Sequence, residues 1–207
     1  MFRDRTDAGR KLADLLTERG VETDIVLAVP RGGLPVARPV ADALDVPLDV
    51  IVAAKVGAPQ NPELAIGAVA SDGSFWENDD IVERLGVSEE YVEQAREQKA
   101  AQARAKLEQY RGTDEPPDID GKRVVVVDDG LATGATTIAA LRQVRKSGAK
   151  RVVLAVPVGS PDSVERLRAE ADEVVCVETP LQFAAVGQFY DSFEQVSDER
   201  AREYLDG

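Results

Sequence analysis

Apolar residues in this chain fall into short unbroken runs, separated by stretches in which they recur at helical spacing. Residues 25–29, 123–127, 152–156 and 173–177 are runs with no polar alternate after the first position, the pattern of strands buried on both faces in a parallel sheet. Residues 48–54 and 64–70 read as two further strands. Between them the spacing predicts helices. The first is capped by Thr6, presents Ala8, Leu12, Leu15 and Leu16, and ends at Gly20; a second starts near Pro35. A third covers residues 136–146, with Ile138, Ala139, Ala140, Leu141 and Val144 inward, and a fourth lies near residues 163–169. Ser88 is a good N-cap for a long charged helix over residues 89–110. Residues 57–73, rich in Gly and Pro, read as a mobile loop. Residues 113–120 read as a linker, and residues 179–207 as a loop followed by a short helix from Ser197.

Strands alternating with helices predict an α/β fold with a mostly parallel central sheet flanked by helices and right-handed crossovers. The expected organisation is one domain over residues 1–207, with a helical insertion at 74–118 and a C-terminal hood at 179–207. Ligands in such sheets bind at the carboxyl ends of the strands. The turns after Val29, Ala54 and Val127 all leave strand ends, so they are expected to converge on one site.

Composition narrows the chemistry. The 207 residues contain no histidine, which excludes His-based acid–base catalysis, Cys–His nucleophiles and the usual zinc sites. The one cysteine, Cys176, lies in an apolar run and reads as a core thiol of a reducing compartment. The net charge of −13 argues against nucleic-acid and membrane-surface partners. Acidic residues outnumber basic ones 38 to 25, and only seven of the basic ones are lysine, a balance suited to a high-salt cytoplasm. No apolar run approaches the ~20 residues of a membrane span. The N-terminus is charged from the start, so no secretory signal and a cytoplasmic location are expected.

The richest stretch is Val124-Val125-Val126-Val127-Asp128-Asp129-Gly130-Leu131-Ala132-Thr133-Gly134-Ala135-Thr136. A buried strand breaks into two adjacent carboxylates, then a small-residue loop, then a helix. That layout aims backbone N–H groups and a helix N-terminus at an anion, usually a phosphate. The carboxylates beside it suit vicinal hydroxyls or a metal ion. In an ordinary βα turn, two buried neighbouring carboxylates would be a cost without a return.

This stretch resembles the phosphoribosyl-pyrophosphate (PRPP) motif of type I phosphoribosyltransferases: four apolar residues, two acids, three variable positions, then Thr-Gly-small-Thr. It is similar in particular to a subgroup carrying both a Pro-Arg-Gly-Gly turn and an Asp-Asp-Gly-Leu-Ala-Thr-Gly-Ala-Thr loop. The resemblance implies that Ala132, Thr133, Gly134, Ala135 and Thr136 hold the 5′-phosphate, and that Asp128 and Asp129 hold the ribose hydroxyls. It places the pyrophosphate loop at Pro30-Arg31-Gly32-Gly33, commonly with a cis peptide, and implies a role for Lys55 at the departing pyrophosphate. Gly187 to Asp191 has the spacing of a step that helps bind magnesium in purine-salvage members, which makes Asp191 a candidate metal contact.

The implied reaction is Mg²⁺-dependent transfer of a phosphoribosyl group from PRPP to a nucleobase-like acceptor, with Asp128, Asp129 and Lys55 as the catalytic set. The alternative is a PRPP- or nucleotide-sensing regulator on the same fold. The long helix and the family's habit also imply a homodimer. One departure bears on the acceptor: Ala132 stands where 6-oxopurine enzymes keep an aspartate for the purine ring. Neither G-x-x-x-x-G-K-[ST] nor G-x-G-x-x-G occurs, which counts against other nucleotide-binding α/β enzymes.

Overall fold

The computed structural model describes residues 1–206. The chain runs α1 (Arg5–Glu18), β1 (Ile25–Ala28), α2 (Gly33–Leu44), β2 (Leu48–Val50), β3 (Ala53–Ala58), β4 (Asn61–Ala70), β5 (Phe75–Glu77), α3 (Asp79–Leu85), α4 (Glu89–Arg111), β6 (Arg123–Val127), α5 (Ala135–Lys146), β7 (Arg151–Val158), α6 (Pro161–Leu167), β8 (Glu173–Glu178), a 3₁₀ turn (Val186–Phe189) and α7 (Asp198–Asp206). Five strands form a wholly parallel sheet in the order β2-β1-β6-β7-β8. Helices cover both faces, as the unbroken apolar runs require.

The alternation of the strands divides the core. Val26, Ala28, Val125 and Val127 face one way, into a cluster with α1, α2, α7 and the C-terminal half of α4. Leu27, Val124, Val126 and Leu154 face the other way, against Ile138, Leu141 and Val144 of α5 and Val164 and Leu167 of α6. The turn after β1 therefore leaves on one face and the turn after β6 on the other. These strands are neighbours and end level, with Ala28 opposite Val127. A crevice opens where adjacent strands send their connections to opposite faces, and here that place lies between β1 and β6.

Local chemistry fixes the helix starts at this end of the sheet. Gly134 takes the left-handed conformation (φ 72°) immediately before α5, a backbone that side chains disfavour. Ser160 caps α6 through its hydroxyl, and Pro161 occupies the first turn. At the N-terminus the cap of α1 is Asp4 rather than Thr6; its carboxylate accepts from the Asp7 amide.

The segment after β2 departs from the sequence-based expectation. Residues 48–54 are not one strand: pairing with β1 stops at Val50, and β3 joins a separate antiparallel sheet, β3-β4-β5. The expected mobile loop over residues 57–73 is mostly the β3–β4 hairpin, closed by the two-residue turn Pro59–Gln60. The Gly and Pro that suggested a loop instead build a bulge: a Cβ on Gly57 would come within 2.4 Å of the Pro62 carbonyl oxygen. Buried Val56, Ala58, Ile66 and Val69 pack on Val92 and Ala100 of α4. The small sheet thus starts upstream of the 74–118 segment and shares its core with that segment's helices. A seam of alanines, Ala68 and Ala70 against Ala135 and Ala139, seats β4 on the start of α5. Among the described residues, no helix is long and apolar enough to cross a membrane.

Candidate functional site

Three segments meet in the crevice. The first is the turn after β1, whose Pro30–Arg31 peptide is cis. Its glycines are required by contact. A Cβ on Gly32 would lie 2.0 Å from Asp129 Oδ2, and one on Gly33 would lie 2.8 Å from the Val127 carbonyl oxygen. The Pro-Arg-Gly-Gly turn is thereby pressed directly onto the acidic pair. The Arg31 Nε lies 4.0 Å from Asp198 Oδ1 at the start of α7. Asp198 also accepts from Lys106 Nζ and the Tyr110 hydroxyl, each at 2.8 Å, and these donors hold its carboxyl below the usual range.

The second segment is Asp128-Asp129. Asp128 Oδ1 accepts the Asp129 amide at 2.8 Å. Burial first, and the neighbouring Asp129 charge second, push the Asp128 carboxyl well above the usual range. Asp129 is also raised by burial, and Arg5 opposes that shift. Arg5 Nε donates to Asp129 Oδ2 at 2.8 Å, with little of either side chain exposed. The same guanidinium donates to the Glu194 carbonyl at 2.7 Å and lies 3.8 Å from the centre of the Phe193 ring. The Tyr190 hydroxyl donates to the Asp129 carbonyl at 2.6 Å. The acidic pair is thus held from the N-terminal helix and from the C-terminal segment together.

The third segment is the loop before α5. Its entry is zipped onto the end of β7: the Leu131 amide donates to the Val158 carbonyl, and the Ser160 amide to the Leu131 carbonyl. From Ala132 to Thr137, the backbone N–H groups have no hydrogen-bond acceptor among the described residues. A run of unsatisfied donors at the N-terminus of a twelve-residue helix has the chemistry that suits an anion. A cavity of 460 Å³ adjoins this loop, lined by Ala132, Thr133, Ala135, Ser163, Arg166 and, from the hairpin, Lys55. Lys55 Nζ donates to the carbonyl and to the side chain of Glu63, each at 3.1 Å.

Of the residues singled out from sequence, Gly32, Gly33, Asp128, Asp129 and the 132–136 loop come together. Lys55 faces the loop from a strand of the small sheet, not from the end of a main-sheet strand. Asp191 is exposed, and its amide donates to the Phe2 carbonyl. No group of three or more His, Cys, Asp or Glu suited to a metal occurs among the described residues. Arg5, Ser163 and Arg166 were not legible as site residues, with only the Ser-Pro start of α6 carrying a local signal; Tyr190 lies within the 187–191 stretch singled out from sequence, but its bond to the Asp129 carbonyl was not legible there. Cys176 is partly buried, its thiol donates to the Glu178 carbonyl, and burial raises its pKa, which suits an inert group.

The phosphoribosyl transferase domain model matches residues 4–193. Two Mycobacterium tuberculosis proteins, provisionally named phosphoribosyl transferases, are 45% identical over all 207 residues, which cover 46% of their own length. The chain therefore spans less than half of these curated relatives. The uracil phosphoribosyltransferase of Staphylococcus haemolyticus is 39% identical, over 59 residues that make up 28% of each chain. Among solved structures, TT1426 from Thermus thermophilus is 44% identical with a TM-score of 0.82, covering 99% of this chain and 97% of that one.

Proposed function

Since the chain belongs to the phosphoribosyl transferase family, we propose that it transfers the 5-phosphoribosyl group from PRPP to a nitrogenous base and releases pyrophosphate. The observation that carries this reading is the contact between the Pro-Arg-Gly-Gly turn and the acidic pair, beside a loop of unsatisfied amides. A phosphate seat, two carboxylates and a second glycine turn within one crevice match a phosphorylated sugar bearing a further anionic group.

In this reading the 5′-phosphate takes the amides of residues 132–136. The ribose 2′- and 3′-hydroxyls donate to Asp128 and Asp129, and the pyrophosphate lies along residues 31–33. The C1–O bond to pyrophosphate loosens ahead of attack, and its electron pair leaves with the pyrophosphate. The acceptor nitrogen then supplies the pair for the new C1–N bond and gives up its proton to an oxygen of the departing pyrophosphate. The positive charge developing on the ribose is stabilised by the nearby carboxylates, and a closed site keeps water from competing. No histidine or thiol is needed for these steps.

The donor set fits Mg²⁺, which takes substrate phosphate oxygens with one or two carboxylates; here Asp129 is tied to Arg5, so Asp128 is the better-placed protein group. When bound, the ion would supply neutralisation of the departing pyrophosphate charge. Ala132 brings no acid or base to the acceptor, which favours a PRPP sensor as the second reading.

Calorimetric titration with PRPP and Mg²⁺ tests both readings, and no binding at millimolar ligand overturns both. With binding established, pyrophosphate release across a panel of bases separates an enzyme from a sensor.

A further inference from the structure

Helix α6 lies beside the 132–136 loop and grips its carbonyls. Ser163 is buried, and its hydroxyl donates to the Ala132 carbonyl oxygen; Ser160 Oγ approaches the same oxygen at 3.4 Å. One turn further along, Arg166 Nη1 donates to the Thr133 carbonyl oxygen at 3.2 Å. Both of these peptides are trans. In a trans peptide, the C=O of one residue and the N–H of the next point in opposite directions. A carbonyl drawn toward α6 therefore turns the following amide away from it. Tying the Ala132 carbonyl sets the Thr133 N–H, and tying the Thr133 carbonyl sets the Gly134 N–H. Those two amides belong to the run without an acceptor.

We propose that Ser163 and Arg166 are positioning residues that orient the Thr133 and Gly134 amides toward the 5′-phosphate of the donor, preorganising the seat before ligand arrives. The proposal rests on the functional reading above and deepens it. A loop of small residues carrying a left-handed glycine has little intrinsic preference for one peptide orientation. Donors already aimed at the site of negative charge avoid reorganisation on binding.

Ribose 5-phosphate and pyrophosphate serve as separate probes in titrations of the full chain, because only the first needs the 132–136 loop. Ser163→Ala and Arg166→Met are each expected to weaken ribose 5-phosphate and PRPP binding by about tenfold, the size of one charge-assisted hydrogen bond. Pyrophosphate affinity and the unliganded melting temperature should stay close to wild type. Arg166→Lys, which keeps a donor and the charge, should recover most of the lost affinity. Unchanged ribose 5-phosphate binding in both variants overturns the proposal, as does an equal loss for pyrophosphate, which would mark a general disturbance of the fold. A wild-type protein that binds neither PRPP nor ribose 5-phosphate overturns the functional reading itself, so the two failures are distinct.

Discussion

Arg5 and Asp129, 124 residues apart in sequence, form a close ion pair at 2.8 Å in which Arg5 Nε donates to Asp129 Oδ2. Each side chain is more than four-fifths removed from solvent. This carboxylate is already engaged by the first turn of α1, and Arg5 opposes the burial that raises its carboxyl above the usual range. Removing the guanidinium would leave Asp129 charged and largely buried beside Asp128. Arg5→Gln is expected to destabilise the protein by about 3 kcal/mol at neutral pH. The loss should shrink in mild acid, where Asp129 can neutralise itself. Urea unfolding at the two pH values checks this, and equal losses at both would contradict it.

The acidic pair sets a pH dependence with a definite sign. Burial raises both carboxyls above their usual value. In the window from about pH 4 up to the raised values, the folded state binds more protons than the unfolded one. The pair therefore costs no stability below that window and weakens the fold as pH rises through it. Asp128→Asn is expected to raise the melting temperature at neutral pH and to leave it nearly unchanged near pH 4. The same substitution should abolish PRPP binding. For wild type, PRPP affinity should fall as pH drops below neutral, earlier than ordinary carboxylates would titrate. Asp7 is held at about 2, chiefly by the Arg3 amide, so its stabilisation is lost only in stronger acid and does not obscure the effect.

At Gly32, a single methyl group tests the contact between the turn and the acidic pair. The Cβ of Gly32→Ala would fall 2.0 Å from Asp129 Oδ2, so the carboxylate or the turn must move. Loss of detectable PRPP binding is expected, with a stability cost of roughly 1–3 kcal/mol for the overpacking. Titration combined with thermal unfolding measures both. Wild-type affinity would show that this contact does not shape the site.

Net charge makes the last prediction. With 38 acidic and 25 basic residues, self-repulsion should oppose folding at low ionic strength. Screening shortens the range of that repulsion from about 10 Å at 0.1 M salt to about 3 Å at 1 M. The melting temperature is therefore expected to climb with NaCl up to molar concentrations. A flat or falling curve would count against the high-salt adaptation inferred from composition.

What the sequence makes legible follows from how local each feature is. The strand, acidic pair, loop and α5 are consecutive in the chain, so both their structure and their chemistry can be read directly. The parallel sheet follows from apolar runs with no polar alternate. The strand expected at residues 64–70 lies within β4, but its pairing with β3 was hidden because Gly57 and Pro62 sit at the bulge, where the strand pattern breaks. Arg31 is paired with Asp198, and Asp129 is held by Arg5 at its side chain and by Tyr190 at its carbonyl, partners that no window around the motif contains. Only tertiary packing brings them together.

The clasp on Asp129 also bears on the order in which the molecule matures. Its parts come from the first turn of α1, the end of β6 and Tyr190 near the close of the chain. During synthesis the glycine-rich loop and its helix emerge well before Tyr190 does. Contacts of such long range form late, because the intervening chain must first be closed into loops. A nascent chain stopped short of Tyr190 lacks the hydroxyl that donates to the Asp129 carbonyl, so, in the proposed reading, PRPP binding is expected to appear only once synthesis has passed this residue.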